Sequence, residues 1–181
     1  MGEAIVVTSG KGGAGKTTLS ANLGCALALA GYSVLMTDTD IGLRNLDILL
    51  GLEDRIVYDI VDVCQGVCDI DKAILKDKRC ENLYFIPASQ AKDKKAINPL
   101  QMKSLVTKAK EKYDYIIIDS PAGLEVGFEN AVAGTDSAIV VALPEMASVR
   151  DADRIIGLLE KKGIEKVGLV INRVNQSAVD K

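Results

Sequence analysis

G-K-G-G-A-G-K-T, residues 10–17, decides how this chain is read. It fits the phosphate-cradling pattern G-x-x-x-x-G-K-[ST] and carries a second lysine, Lys11, inside the loop. Ahead of it, residues 4–8 (A-I-V-V-T) form a β-branched apolar run. Behind it, residues 17–30 are rich in Leu and Ala, which favour helix. The loop therefore joins a buried strand to a helix N-terminus, the placement that the pattern requires. Gly10, Gly12, Gly13 and Gly15 let successive N–H groups turn inward around an anion, with Ala14 between them. The helix start at Lys16, Thr17 and Thr18 adds unpaired donors and a partial positive charge. Lys16 is the candidate for the β- and γ-phosphates, and the Thr17 hydroxyl the candidate ligand of Mg²⁺. Nucleotide binding and hydrolysis follow as the leading expectation; a ligand-free strand-to-helix turn is the plain alternative.

The chain has 181 residues, of which 48% are hydrophobic and 4% aromatic, with no Trp. That is enough for one substantial core, and 1–181 reads as a single domain packed from Val, Ile, Leu and Ala. Such a composition suits parallel strands covered on both faces. Histidine is absent, which excludes Ser-His-Asp and Cys-His catalysis and His-ligated zinc. Carboxylates, lysines, hydroxyls and a bound metal are left to do the chemistry. The net charge of −3 gives no support to a nucleic-acid or anionic-membrane surface. Cys25 falls in the helix after the loop, and Cys64 and Cys68 share an i, i+4 spacing on an expected helix. With no CxxC pair and no His, the four cysteines, Cys80 included, read as reduced cytosolic thiols. Neither a signal peptide nor an apolar run of membrane-spanning length is present.

Strand-like runs recur at residues 4–8, 33–37, 83–88, 115–119, 137–143 and 167–172, with helical patterns between most of them. Asn98 is placed to cap a helix over 98–112, with Pro99 in its first turn and Met102, Leu105, Val106 and Ala109 as its apolar stripe. Ser148 and Asp151 have capping-box spacing ahead of Ala152, Ile155, Ile156 and Leu159. This alternation predicts an α/β fold: a doubly wound, mainly parallel sheet with helices on both faces. Ligands of such sheets bind at the carboxyl ends of the strands. Two runs end there in acid, residues 37–40 (T-D-T-D) and residues 119–123 (D-S-P-A-G), so Asp38 and Asp119 are candidates for the magnesium shell. A strand-terminal Asp can equally cap the next helix, but two on the edge that bears the loop point to the metal.

The loop with its extra lysine, residues 38–47 (D-T-D-I-G-L-R-N-L-D), residues 116–123 (I-I-I-D-S-P-A-G) and residues 144–155 (P-E-M-A-S-V-R-D-A-D-R-I) closely resemble the MinD family of septum-site-determining ATPases. The loop alone marks only the wider deviant Walker A group of P-loop ATPases; the segments from Asp38 and Pro144 narrow it. The resemblance covers essentially the whole chain. It implies ATP and Mg²⁺ as cofactors and a homodimer formed on ATP, in which Lys11 reaches the partner's phosphates. It makes Lys11, Lys16 and Asp40 catalytic, with Asp40 orienting the attacking water, and Asn45 a weaker switch candidate. It places Asn172 against adenine and leaves Arg173 to stack on the ring. It marks the helix opening around Ser148, Arg150, Asp151 and Asp153 as the face that meets a division inhibitor and an ATPase-stimulating protein.

Two departures accompany it. Ala14 stands where relatives often have Val, a change that leaves the cradle intact. The family continues for several tens of residues beyond position 181 and ends in an amphipathic membrane-targeting helix, which this sequence lacks. The chain therefore reads as C-terminally shortened, with reduced stability and weaker nucleotide binding expected. The full-length family is cytoplasmic and peripheral on the inner face of the cell membrane. The function so implied is ATP-dependent placement of the division septum. A ParA-type DNA- or cargo-partition ATPase is the alternative, disfavoured by the acidic charge balance and by the segment from Asp38. A cluster-binding electron-transfer ATPase on the same fold lacks cysteines near 119–123, and a nucleotide-bound scaffold with negligible turnover is the non-catalytic option.

Overall fold

The computed structural model describes residues 1–42, 46–52, 55–90 and 96–174. Its centre is a seven-stranded sheet in the order β3-β4-β2-β5-β1-β6-β7. The strands are β1 (Glu3–Thr8), β2 (Val34–Asp38), β3 (Leu75–Lys76), β4 (Leu83–Ile86), β5 (Tyr115–Asp119), β6 (Ser137–Ala142) and β7 (Lys166–Ile171). Every neighbouring pair is parallel except β3 with β4. The expected doubly wound α/β sheet is therefore the observed one.

Strand alternation sends side chains to two cores. Ala4, Val6, Leu35, Ile116 and Ile118 pack on one face with residues of α5 (Pro99–Ala109), α6 (Val126–Val132) and α7 (Met146–Lys161). Val7, Val34, Met36, Phe85 and Ile117 pack on the other with α1 (Lys16–Leu29) and α2 (Leu46–Leu50). Parallel strands need this cover on both sides, which is why β1, β2 and β5 are nearly unbroken apolar runs. The edge strand β7 differs, since Leu169, Val170 and Ile171 are exposed.

The α5 expectation holds in detail. Asn98 Oδ1 accepts from the Gln101 N–H and Gln101 Oε1 accepts from the Asn98 N–H, both at 3.0 Å, with Pro99 as the first helical residue. Met102, Leu105, Val106 and Ala109 are its buried stripe. Two expectations are corrected. Helix α7 starts at Met146, so Ser148 lies inside it and forms no capping box with Asp151; its hydroxyl instead accepts from the Leu143 N–H at 2.9 Å, closing the turn after β6. Cys64 and Cys68 do not share a helix. Helix α3 (Ile60–Cys64) ends at Cys64, and Gly66 at φ +74° turns the chain away. The short elements β3, α2 and α4 (Ile70–Ala73) were not expected from the sequence pattern.

Helix α1 sits closely enough on β2 that a Cβ added at Gly24 would lie 2.4 Å from Met36 Sδ, within the core. Gly24→Val is expected to cost about 1–3 kcal/mol through overpacking. The exposed control Ala26→Val should cost under about 1 kcal/mol, from helix propensity alone. Urea unfolding of the two variants measures the difference.

Candidate functional site

The loop after β1 is pinned from several directions. Ser9 Oγ donates to the Lys11 carbonyl at 2.7 Å, and the Gly123 N–H donates to the Ser9 carbonyl at 3.1 Å. Gly15, the α1 N-cap, has φ +99°, a left-handed conformation that favours glycine, and a Cβ there would lie 2.3 Å from Asn172 Nδ2. At Gly10 an added Cβ would meet Asp151 Cβ at 2.3 Å, so the start of α7 packs directly on the loop. Ala14 is buried, whereas Lys11, Gly12 and Gly13 are exposed at the tip. The first turn of α1 holds no acidic side chain, which leaves its positive end available to an anion.

The acids lie beneath this loop. In the sheet register Val7, Asp119 and Asp38 form one row across β1, β5 and β2. Both carboxylates are buried, Asp38 at 1% and Asp119 at 3% exposure. Ser20 Oγ, one turn into α1, donates to Asp119 Oδ1 at 3.0 Å. Burial pushes the Asp119 carboxyl up to about 7, and the Asp38 charge adds to the rise. Hydrogen bonds from Thr17 and Ser20 and the Lys16 ammonium oppose it. Burial likewise lowers Lys16 below its ordinary value, against the pull of Asp119, Asp40 and Asp38. Two carboxylates beside a threonine hydroxyl, without a closed cage, are a donor set that suits Mg²⁺, which keeps several waters and shares its shell with phosphates.

Asp38 also shapes the turn that follows β2. Its Oδ1 accepts from the Asp40 N–H at 2.8 Å and its Oδ2 from the Leu46 N–H at 3.2 Å. Thr39 sends both its N–H, at 3.0 Å, and its hydroxyl, at 2.8 Å, to the Asp119 carbonyl. Asp40 is thus held half-buried at the carboxyl edge of the sheet. Asn45 lies outside the described residues.

Asn172, next after β7, points at the loop. Its Nδ2 donates to the Ala14 carbonyl at 2.9 Å and its Oδ1 accepts from the Arg173 N–H at 2.8 Å. It lines a depression with Gly15, Thr18, Leu19, Asn22, Val141 and Val170, beside the helix start. Arg173 is exposed and has φ +58°. The four α7 residues separate in kind. Ser148 is buried, Asp151 is half-buried against Gly10, and Arg150 and Asp153 are exposed.

With this geometry in view, the comparisons with known proteins are specific. A family model described as an AAA domain matches residues 2–166. The septum site-determining protein MinD of Bacillus subtilis is 60% identical over 176 residues, covering 96% of this chain and 66% of that one. A chain of the MinC:MinD cell division protein complex of Aquifex aeolicus matches with a TM-score of 0.90 at 49% identity, over 98% of this chain and 71% of that one. This chain belongs to the MinD family. A third MinD, complexed with Mg-ADP and from Pyrococcus horikoshii, matches with a TM-score of 0.87 at 33% identity, over 99% of this chain and 76% of that one. The chain spans about two thirds of the length of its MinD relative from Bacillus subtilis. The fold is accordingly the P-loop ATPase architecture of MinD.

Ser9, Ser20 and Thr39 are site residues that the sequence reading missed. Ser20 had a usable signal, because it lies three residues after Thr17 and so on the same helix face. Ser9 and Thr39 act through backbone geometry that no spacing reveals.

Cation binding at this row requires Asp119 to lose its proton. With a pKa of about 7, Mg²⁺ affinity should fall about tenfold from pH 8 to pH 6, as the carboxylate fraction falls from about nine-tenths to about one-tenth. Asp119→Asn should weaken Mg²⁺ binding and reduce the pH dependence to what the terminal phosphate of ADP contributes, as read by calorimetric titration in the presence of ADP. The stability of the cation-free protein should move the other way. The folded state holds this proton more tightly than the unfolded chain, so stability rises as the pH falls from above 7 toward the ordinary carboxylate range.

Proposed function

We propose that this site hydrolyses ATP to time the placement of the division septum, within a dimer that ATP assembles. The observation that carries the reading is the row of Asp119 and Asp38 beneath the loop, with Asp119 hydrogen-bonded to the first turns of α1. Residues 1–181 serve as one ATPase domain, in keeping with the one sheet formed by the described residues.

The loop N–H groups and the α1 start hold the β-phosphate, and Lys16 lies where the γ-phosphate extends. Mg²⁺, when bound, neutralises phosphate charge as the leaving group develops it. Thr17 would hold it directly, with Asp119 and Asp38 behind its waters. Asp40, fixed through its own N–H on Asp38, orients the attacking water. Its part is to orient the water rather than to abstract its proton outright. Lys11 stands exposed at the loop tip, where it can supply the remaining positive charge to a second copy's nucleotide. The depression beside Asn172 is the assigned seat of adenine, with Arg173, next in the chain, assigned to stack on the ring.

The matched Aquifex aeolicus complex, MinC:MinD, supports a division-inhibitor partner. Its docking face here is the exposed opening of α7, where Met146 and Val149 stand out beside Arg150 and Asp153. Ser148 leaves that face because it is buried. An ATPase-stimulating protein acting on the same helix would reach the loop through Asp151 and Gly10. Membrane attachment is assigned to a segment outside residues 1–181; among the described residues no helix is long and apolar enough to cross a membrane.

Lys16→Ala should abolish measurable nucleotide binding. Lys11→Ala should keep ADP affinity within about twofold yet lose ATP-dependent dimerisation, read by light scattering with a non-hydrolysable ATP analogue. Normal dimerisation of the Lys11 variant would rule out the cross-subunit role.

A further inference from the structure

Helix α2 is only five residues long, yet it is gripped at both ends. Its first N–H, that of Leu46, donates to Asp38 Oδ2 at 3.2 Å, in the row beneath the phosphate loop. Its last carbonyl, that of Leu50, accepts from Arg79 Nη2 at 2.9 Å. Leu46 and Leu50 are buried in the core that α1 covers. A helix this short has too few internal hydrogen bonds to hold its own shape, so its position depends on what its ends and its buried face meet. Arg79 is itself held, in the turn that joins β3 to β4, where the Asp77 N–H donates to the Leu83 carbonyl at 2.9 Å. The buried Asp77 carboxylate accepts at Oδ1 from the N–H groups of Arg79, at 2.6 Å, and Cys80, at 3.0 Å, and at Oδ2 from Arg79 Nη2 at 3.3 Å. Burial works against the Asp77 charge, but these donors hold the carboxyl below its ordinary value. One guanidinium nitrogen thus bridges a fixed carboxylate and the end of α2. The Arg79 side chain is 67% exposed, so the ion pair adds little to stability, and what the bridge contributes is position.

We propose that Arg79 is a positioning residue for the cation site: by tying the carboxyl end of α2 to the β3–β4 turn, it keeps the Leu46 N–H on Asp38 and so sets the plane of that carboxylate. The inference rests on the proposed role of Asp38 in the magnesium shell. Asp38 Oδ1 accepts from the Asp40 N–H, and the Leu46 bond engages the second oxygen. The plane so defined decides how the carboxylate meets the waters of a bound cation, as outer hydrogen bonds do at metal sites generally. If α2 shifts at its Leu50 end, the Leu46 N–H moves off Asp38 Oδ2 and the carboxylate loses a donor that sets its plane.

Amide exchange by NMR and calorimetric Mg²⁺ titration, on Arg79→Met and Arg79→Lys beside the unmodified protein, test this. Met keeps the apolar stem without a donor, whereas the Lys ammonium can donate to both acceptors from one nitrogen. In Arg79→Met the Leu46 N–H should exchange at least about tenfold faster, while the Val106 N–H in α5 keeps its rate and so reports an intact fold. Mg²⁺ affinity in the presence of ADP should fall about threefold or more, with ADP affinity in the absence of Mg²⁺ within about twofold. Arg79→Lys should keep the Leu46 rate and the Mg²⁺ affinity within about twofold of the unmodified protein. In an Asp38→Asn background Arg79→Met should cause no further loss of Mg²⁺ affinity. An unchanged Leu46 rate or an unchanged Mg²⁺ affinity in Arg79→Met overturns the inference, as do equal losses in both backgrounds. A Met variant that fails to fold makes Arg79 a structural residue and overturns it too. If Asp38→Asn alone binds Mg²⁺ as the unmodified protein does, the proposed metal role of Asp38 fails, and the Leu46 rate still decides whether Arg79 holds α2 on that side chain.

Discussion

A carboxylate driven to the end of a buried parallel strand demands a compensating charge, and most of the site follows from that demand. Asp119 and Asp38 lie side by side because β5 and β2 are paired in parallel register. Burial and the neighbouring Asp38 charge raise the Asp119 carboxyl, so a cation brought to the row favours its ionised form. Among the described residues Lys16 brings positive charge to these acids, and the hydroxyls of Thr17 and Ser20 bond Asp119. The row thereby offers carboxylate charge to a further positive ion at the loop edge of the sheet. A fold that binds a metal-chelated polyanion gains from such a row, because the metal meets its charge.

The phosphate loop is likewise defined by what surrounds it as much as by its glycines. Asn172 comes from the far edge of the sheet and Asp151 from the helix after β6, and each meets a glycine that leaves no space for a side chain. Gly12, by contrast, has open space around its Cβ position. The glycines of one motif thus answer to different needs: close approach at Gly10, close approach together with a left-handed backbone at Gly15, and freedom at the tip.

Much of this was legible in the sequence, for physical reasons. The six long strands were visible because buried parallel strands are continuous apolar runs, and the acids closing two of them marked the functional edge. The α5 start was visible because Asn98 can accept from a helix-end N–H and Pro99, at the first helical position, has no N–H to leave unpaired. Ser148 misled, since its spacing to Asp151 imitates a cap; the helix begins earlier, and the hydroxyl serves the turn that β6 needs to close. Cys64 and Cys68 misled because helical spacing says nothing of where a helix stops. The short elements β3, α2 and α4 carry too few residues for periodicity to register. Ser9, Thr39 and Arg79 act across distant parts of the chain, and tertiary partners of that kind leave no local pattern.

The contact between Gly10 and Asp151 has a thermodynamic consequence. Asp151 lies against Gly10 with no room for a side chain between them, so a shift of either the loop or the first turns of α7 presses on the other. Linkage then makes the traffic reciprocal. Whatever factor a protein seated on α7 imposes on nucleotide affinity, the nucleotide imposes the same factor on that protein's affinity. A single missing side chain at position 10 would thus set how strongly the chemistry and the choice of partner can speak to each other.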